Sequence, residues 1–301
     1  RSIQLDVQGL QSILNSAPME FSPISTLSQT LLPIPLPDGT TEFFNIVESP
    51  VLAPELAEMY PYINTYVGYS IHDLGKSIRL DFTPQGFHAI ILQAGGSSIY
   101  IDPYSFGSGD ISHFFSYYKK DLAVNLNKLF SCETATTSKK ADDGSGQSMR
   151  YGTCQLRTYR IAMAATGEYT QFHGGTVAAA LAAQATTLNR VNAIFEREMA
   201  IRMLIIPNNN LLIYSNAALD PFTNGNAATM ASENQSNTAL VIGNGGYDLG
   251  IVLGTAGGGD ASIGRVCNNG QKATTAAGFA NPVGDPFDVD YVCHVIEHQF
   301  G

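Results

Sequence analysis

Between Ser131 and Arg150 the chain reads SCETATTSKKADDGSGQSMR, with no large aliphatic side chain except Met149. A stretch that cannot bury apolar surface stays solvated, so no single core can run uninterrupted through it. The polar stretch therefore divides the sequence, and 301 residues are enough for two domains of about 150 residues each. The expected organisation is a domain over 1–130, a linker over 131–155 and a second domain over 156–301. Solvated linkers are also where proteases cut, although an ordinary connecting segment fits the same composition.

Hydrophobic residues make up 44% of the chain and charged residues 14%, which excludes a disordered or coiled-coil protein. Sixteen Lys and Arg stand against twenty-six Asp and Glu, a formal charge of −10, and no basic run of five residues occurs. That balance argues against nucleic acid and against an anionic membrane surface as partners. The most apolar stretches, 176–183 and 203–207, fall far short of the roughly 18 residues that span a bilayer. Low Lys content with many Gly, Tyr, Asn and Thr suits a secreted protein. No charged-then-apolar leader precedes Arg1, so a signal peptide would already have been removed. The four cysteines, Cys132, Cys154, Cys267 and Cys293, allow two disulfides in three pairings, or four free thiols.

The first part reads as short alternating strands, hence α+β and mostly antiparallel. Leu31 to Asp38 carries Pro33, Pro35 and Pro37, which forbid a helix and favour an extended edge ending in the Asp38-Gly39 turn. Strands are predicted at 42–47, 77–82, 87–92 and 97–101, with a short helix near 54–59. The second part alternates: a strand at 157–165, a long helix from about 175 to 199, and a strand at 201–206. Leu211 to Ser215 extends or pairs with that strand. A helix beginning near Glu233, strands at 239–242 and 247–253, and a Gly-rich loop at 254–259 follow. This is an α/β pattern.

The chain ends DPFDVDYVCHVIEHQFG, from Asp285 to Gly301. Asp285 is a candidate N-cap with Pro286 at the first helical position, and Asp288 and Asp290 suit the positive end of the helix dipole. His294 and His298 are four residues apart, which puts both imidazoles on one face about 40° apart. Two neutral imidazoles so placed can grip one zinc ion, whereas surface or core histidines at this spacing are the plainer alternative. Glu297 completes H-x-x-E-H. At about 100° per residue, Val295 and Glu297 lie on opposite flanks of the histidine seam. The general-base glutamate of H-E-x-x-H would stand where Val295 is. Glu297 reaches a metal-bound water only if substrate approaches from its own side.

From Leu156 onward the sequence resembles the secreted, reprolysin-like zinc metallopeptidases of the metzincin clan, in the bacterial branch with a long N-terminal pro-region. The stretches LRTYRIAMAATGEYTQFHGGT, TTLNRVNAIFEREMAIRMLIIPN, NQSN, YDLG, VCNNGQKA and PVGDPFDVDYV followed by HQFG carry it. In the first part, LDVQGLQSILNSAP, LPDGT, VESPVLAPELAEMYP, DFTPQGFHA and YIDPYS resemble that branch's pro-region. The resemblance implies an α+β pro-domain followed by an α/β metzincin-like (zincin) catalytic domain whose zinc helix ends the chain. It also implies hydrolysis of peptide bonds in protein substrates, with zinc as cofactor.

Laid on this chain, the family's H-E-x-x-H-x-x-G-x-x-H puts ligands at His294 and His298 and its glycine at Gly301. A third histidine would fall three residues later. Val295 replaces the general base and Glu297 replaces a glycine. Loss of a positioned general base costs about 10²–10⁴-fold in rate, so this chain is expected to be a weak or inactive peptidase. Decay, inactivation or a sequence error would produce the Val295/Glu297 pair, and a working inverted motif, with Glu297 catalytic, is the alternative. A non-catalytic relative with a peptide-binding groove is the other function that fits.

Tyr247, Leu249, Gly250 and Ile251 are candidate substrate contacts if their strand is an exposed edge, and plain core residues if it is internal. Cys154 is a candidate latency thiol for the zinc, or a disulfide partner of Cys132. Cys293 fits a structural thiol or a bridge to Cys267. His72, His88, His113 and His173 show no ligand spacing and read as ordinary hydrogen-bonding residues, and Glu168 and Tyr169 as structural ones. The loop 254–259 contains no phosphate-binding glycine motif, and no GxSxG, CxxC or EF-hand pattern occurs.

Overall fold

A computed structural model describes residues 1–27, 29–107, 109–122 and 155–301. The expected linker 131–155, apart from Gln155, lies outside the described residues, as do Cys132 and Cys154 with the bridge or latency role considered for them.

The first part builds one antiparallel eight-stranded sheet. In chain order its elements are β1 (Ser2–Gln4), α1 (Val7–Ser16), β2 (Leu31–Pro35), β3 (Thr41–Glu48), α2 (Pro54–Met59), β4 (Asn64–Ser70), β5 (Ser77–Thr83), β6 (Gly86–Leu92), β7 (Ile99–Pro103) and β8 (His113–Tyr118). Strands β2 to β8 pair consecutively, and β1 returns to close against β8. The proline-rich β2 is the edge, as its missing N–H groups require. Alternation sends Leu32, Ile34, Phe44, Ile46, Ile78 and Leu80 into a core covered by Leu10 and Leu14 of α1. The Asp6 side chain caps α1 by accepting from the Gly9 amide. The intervening residues Arg79 and Asp81 point to the other face, towards the second part.

There the elements are β9 (Arg157–Ala165), α3 (Gly167–Phe172), α4 (Val177–Met199), β10 (Ile201–Ile205), α5 (Ala227–Val241), β11 (Leu249–Gly254), β12 (Gly258–Ala261), β13 (Thr275–Gly278), α6 (Asp285–Phe287), a π-helical turn at Asp288–Cys293, and α7 (His294–Phe300). The five strands lie in the order β10-β9-β11-β13-β12, all parallel except β12. Along β9, Ile161, Met163 and Ala165 pack towards α4 and α7, while Ala162 and Ala164 pack towards α5. This is a mixed α/β arrangement compatible with a metallopeptidase domain. Helix α4 sits between the two sheets and is buried almost all round, polar residues included.

Several expectations are corrected. Residues 239–242 end helix α5 instead of forming a strand: Asn234 donates to the Ala273 carbonyl and Gln235 accepts from the Ala273 amide, so the helix grips the sheet directly. The loop expected at 254–259 is split between β11 and β12. Glycine is required nearby, since a Cβ on Gly278 would sit 1.6 Å from the Ala256 carbonyl oxygen. Residues 209–212 form a 3₁₀ turn, with one bridge from Ile213 to Ala165. Asp285 is not the N-cap. Gly284 occupies that position at φ +76°, and the Asp285 carboxylate is buried against Lys119. Cys267 and Cys293 are unpaired thiols, the first exposed and the second buried, so the bridge between them does not form.

Candidate metal centre

The site is carried by the continuous helical run α6, π turn and α7. One face is apolar: Phe287, Tyr291, Val292, Val295 and Ile296 belong to the core shared with β9, β11 and α4. Two polar ties fix its rotation. Tyr291 donates to the Gly278 carbonyl of β13 at 3.0 Å, and Gln299 donates to the Gly250 carbonyl of β11 at 3.3 Å. The last turn is clamped by the loop after β12, where the amides of Gly264 and Arg265 donate to the carbonyls of His298 and Gln299. A single π turn within an α-helix is a common accompaniment of functional sites.

That anchoring leaves His294 and His298 half-buried on the opposite face. Their Nε2 atoms stand 3.1 Å apart, and the rings meet edge to face at 81° with centroids 4.6 Å apart. Zinc–nitrogen bonds of about 2.0–2.1 Å at a tetrahedral angle separate two ligand nitrogens by about 3.3 Å. The pair therefore fits one zinc ion. Burial, and then the neighbouring His294, hold the His298 imidazole below its ordinary range, which favours the neutral form that ligates; Glu297 opposes them. Among the described residues no group of three or more His, Cys, Asp or Glu is arranged to hold a metal ion.

The flanking residues differ sharply. Val295 is fully buried in the core, while Glu297 is exposed beside His298. Cys293 is buried, and burial pushes its thiol up to about 12, so it is a structural thiol.

The structure removes Tyr247, Leu249, Gly250 and Ile251 from the substrate surface. Strand β11 is internal: Leu249, Gly250 and Ile251 pair with Ile161, Ala162 and Met163 of β9, and Val252 to Gly254 pair with β13. Tyr247 is buried with Lys272 Nζ 4.4 Å from its ring centroid. A continuous apolar run is the mark of a parallel strand covered on both faces, and YDLGIVL carries that mark. The outermost strand on the side of α7 is β12.

Of the other histidines, His72, His88 and His113 pair with Glu42, Asp81 and Asp110. His173 differs from these three. It is buried against Phe106, Tyr169 and Phe172, and burial pushes its imidazole down to about 3 against the opposing pull of the Pro282 backbone. Sequence reading also missed a buried network behind the site. Arg190 binds Asp288 at 2.9 Å and Asp102 at 2.5 Å, and the Thr187 hydroxyl donates to Asp288 at 2.6 Å. Its trace in the sequence is Arg190 in the middle of an otherwise uncharged stretch of the alanine-rich helix.

Residues 155–301 match the model of a family described as metallo-peptidase family M12B, reprolysin-like. The match supports a reprolysin-like metallopeptidase over those residues, a family that is zinc-dependent in general and whose substrates are proteins. No curated protein matches the chain. No helix among the described residues is long and apolar enough to cross a membrane.

Proposed function

We propose that this chain is a secreted zinc metalloendopeptidase precursor of the bacterial reprolysin-like branch, with His294 and His298 as two of the zinc ligands. The domains are a pro-domain over 1–130, a linker over 131–155 and the N-terminal part of the catalytic domain over 156–301. The observation that carries the reading is the 3.1 Å approach of two half-buried imidazole nitrogens on one helix face, within residues that match the family model. When bound, zinc would polarise a peptide carbonyl and acidify a water. A third ligand would come from residues after Gly301, as the resembled motif places it.

The chain's own residues limit the chemistry. Val295 can neither accept nor orient a proton, and its side chain is packed in the core. Glu297 is the carboxylate next to the pair, and it serves as a base only for a water on its own flank. An extended peptide would lie along β12, the outer strand packed on α7, through main-chain hydrogen bonds. We therefore assign weak or absent hydrolysis to this chain. The burial of Val295 favours the second reading, a non-catalytic metal and peptide binder.

The test is zinc stoichiometry together with cleavage of a generic protein substrate, with and without chelator, in a chain extended past Gly301. Zinc binding without cleavage, and cleavage gained on Val295→Glu, support the family mechanism. Chelator-sensitive cleavage that disappears in Glu297→Gln supports the inverted one. Absence of zinc binding by the extended chain rejects both.

A further inference from the structure

We infer that residues 1–122 are a permanent part of the fold of residues 155–301, so that a chain cut between them stays together as a noncovalent pair. This inference uses no metal and no activity, and it goes beyond the pro-domain reading, which leaves open whether the first part departs.

Three kinds of contact carry it. The first is main-chain pairing. The Ala53 amide donates to the Ile205 carbonyl at 2.9 Å and the Ile205 amide donates to the Val51 carbonyl at 2.8 Å, so Val51–Ala53 run along the outer edge of β10. The second is a shared core. Val51, Leu52, Leu56 and Ile63 belong to the same apolar cluster as β9, β10, β11 and α7, and Ala193 of α4 packs with Ile90, Leu92 and Tyr100.

The third is buried polar pairing across the junction. Arg79 donates to Asn189 at 2.9 Å and to Glu196 at 2.6 Å, and Asn189 donates back to the Leu80 carbonyl at 2.9 Å. The Thr186 hydroxyl donates to Asp81 at 2.8 Å, Arg190 binds Asp102, and Arg202 binds Glu20 at 2.7 and 3.0 Å. Lys119 reaches Asp285 and Asp290 on the helical run that leads to His294.

A separable domain interface is polar and modest, whereas here Val51, Leu52, Leu56 and Ile63 of the first part sit inside the core of the second. Departure of the first part would expose the edge of β10, uncover Ala193 of α4 and strip Val51, Leu52, Leu56 and Ile63 from the shared core, and break the bonds of Asn189, Arg190 and Arg202 to the first part in one step. Each broken pairing forfeits the net stability of its hydrogen bond, which water only partly restores, and the uncovered apolar surface adds to the loss. The hydrogen bonds and ion pairs named here fall on α4, β10 and residues 285–290, and none of those named is made by His294 or His298. The first part thus braces the helix that carries the histidines from behind.

The experiment places a site-specific protease sequence with Gly-Ser spacers between Cys132 and Cys154 of the full chain, cuts it to completion, and follows the fragments by native size-exclusion chromatography on dilution in the presence of a reductant, so that no Cys132–Cys154 bridge can join them. The expected result is co-elution at the mass of the intact chain, with separation only across the urea transition that unfolds the protein. Elution of a folded 155–301 fragment alone in native buffer, or separation on dilution, would overturn the inference. Two variants identify the interface responsible. Ala53→Pro deletes one N–H donor at a residue whose φ is already −59°, and Arg79→Met removes the hydrogen bonds to Asn189 and Glu196 across the junction, leaving Glu196 paired with Arg202 alone. The dissociation constant of the cut pair should rise about tenfold in the first and about a hundredfold in the second. Unchanged association in both variants also overturns it.

Discussion

Nε2 of His298 lies 3.1 Å from Nε2 of His294, which makes the pair a chelate before any ion arrives. Little rearrangement is needed for both nitrogens to bind one metal. Replacing either histidine with alanine should therefore abolish stoichiometric zinc binding at micromolar metal while leaving circular dichroism unchanged. Equilibrium dialysis of both variants measures this. Chelator should lower the melting temperature of the parent chain and leave the variants unmoved, because only a metal bound to the native state adds to stability.

Val295 is fully buried, so introducing a carboxylate there places a charge in apolar surroundings. Val295→Glu should lose about 2–4 kcal/mol of stability by urea titration, more than Val295→Ala loses. A variant as stable as the parent would show that this flank of α7 faces solvent, contrary to the packing described.

Burial pushes the Asp288 carboxyl up to about 6, against the pull of Arg190 and Thr187. A carboxyl raised from about 3.9 contributes stability that is fully present below pH 4 and is lost as pH rises through about 6. Asp102 and Glu20 are shifted downward and act in the opposite sense at lower pH. The difference between the parent and Asp288→Asn isolates the Asp288 contribution: the parent should gain stability relative to the variant as pH falls from 7 to 4. A difference that stays constant over that range counts against the assignment.

Arg190 is enclosed between Asp102 and Asp288. Arg190→Met should cost about 3–5 kcal/mol, because it leaves the buried Asp288 and the half-buried Asp102 without their common partner. The triple variant Arg190→Met, Asp102→Asn, Asp288→Asn should recover much of that loss. A urea series on the two proteins reads both numbers.

Gly278 has no room for a side chain, with the Ala256 carbonyl oxygen 1.6 Å from the ideal Cβ position. Gly278→Ala should destabilise the chain by more than about 2 kcal/mol and separate β13 from the turn before β12, read as faster amide exchange in Gly258–Ala261.

Strands with strong alternation or continuous apolar character, such as β3, β5 and β9, were legible because burial on a pleated surface imposes those periods locally. Helix α5 was not fully legible. Its last turn, Thr238 to Val241, has strand-like composition and is helical only because Asn234 and Gln235 grip Ala273 from elsewhere in the chain. The histidine pair was legible for the same reason as the strands, since a four-residue spacing fixes a helical face without help from the rest of the protein.

By itself, then, the sequence determined the two patterns of secondary structure, the proline-guarded edge at β2 and the shared face of His294 and His298, all of which follow from interactions within a few residues. Only the tertiary structure decided that β11 is internal, that Val295 points into the core, and that Arg190 joins Asp102 to Asp288. Those outcomes depend on partners far off in the chain, such as Ile161 for Leu249 and Asp102 for Arg190. No local periodicity encodes which distant surfaces meet, because that choice is made by the packing of the whole.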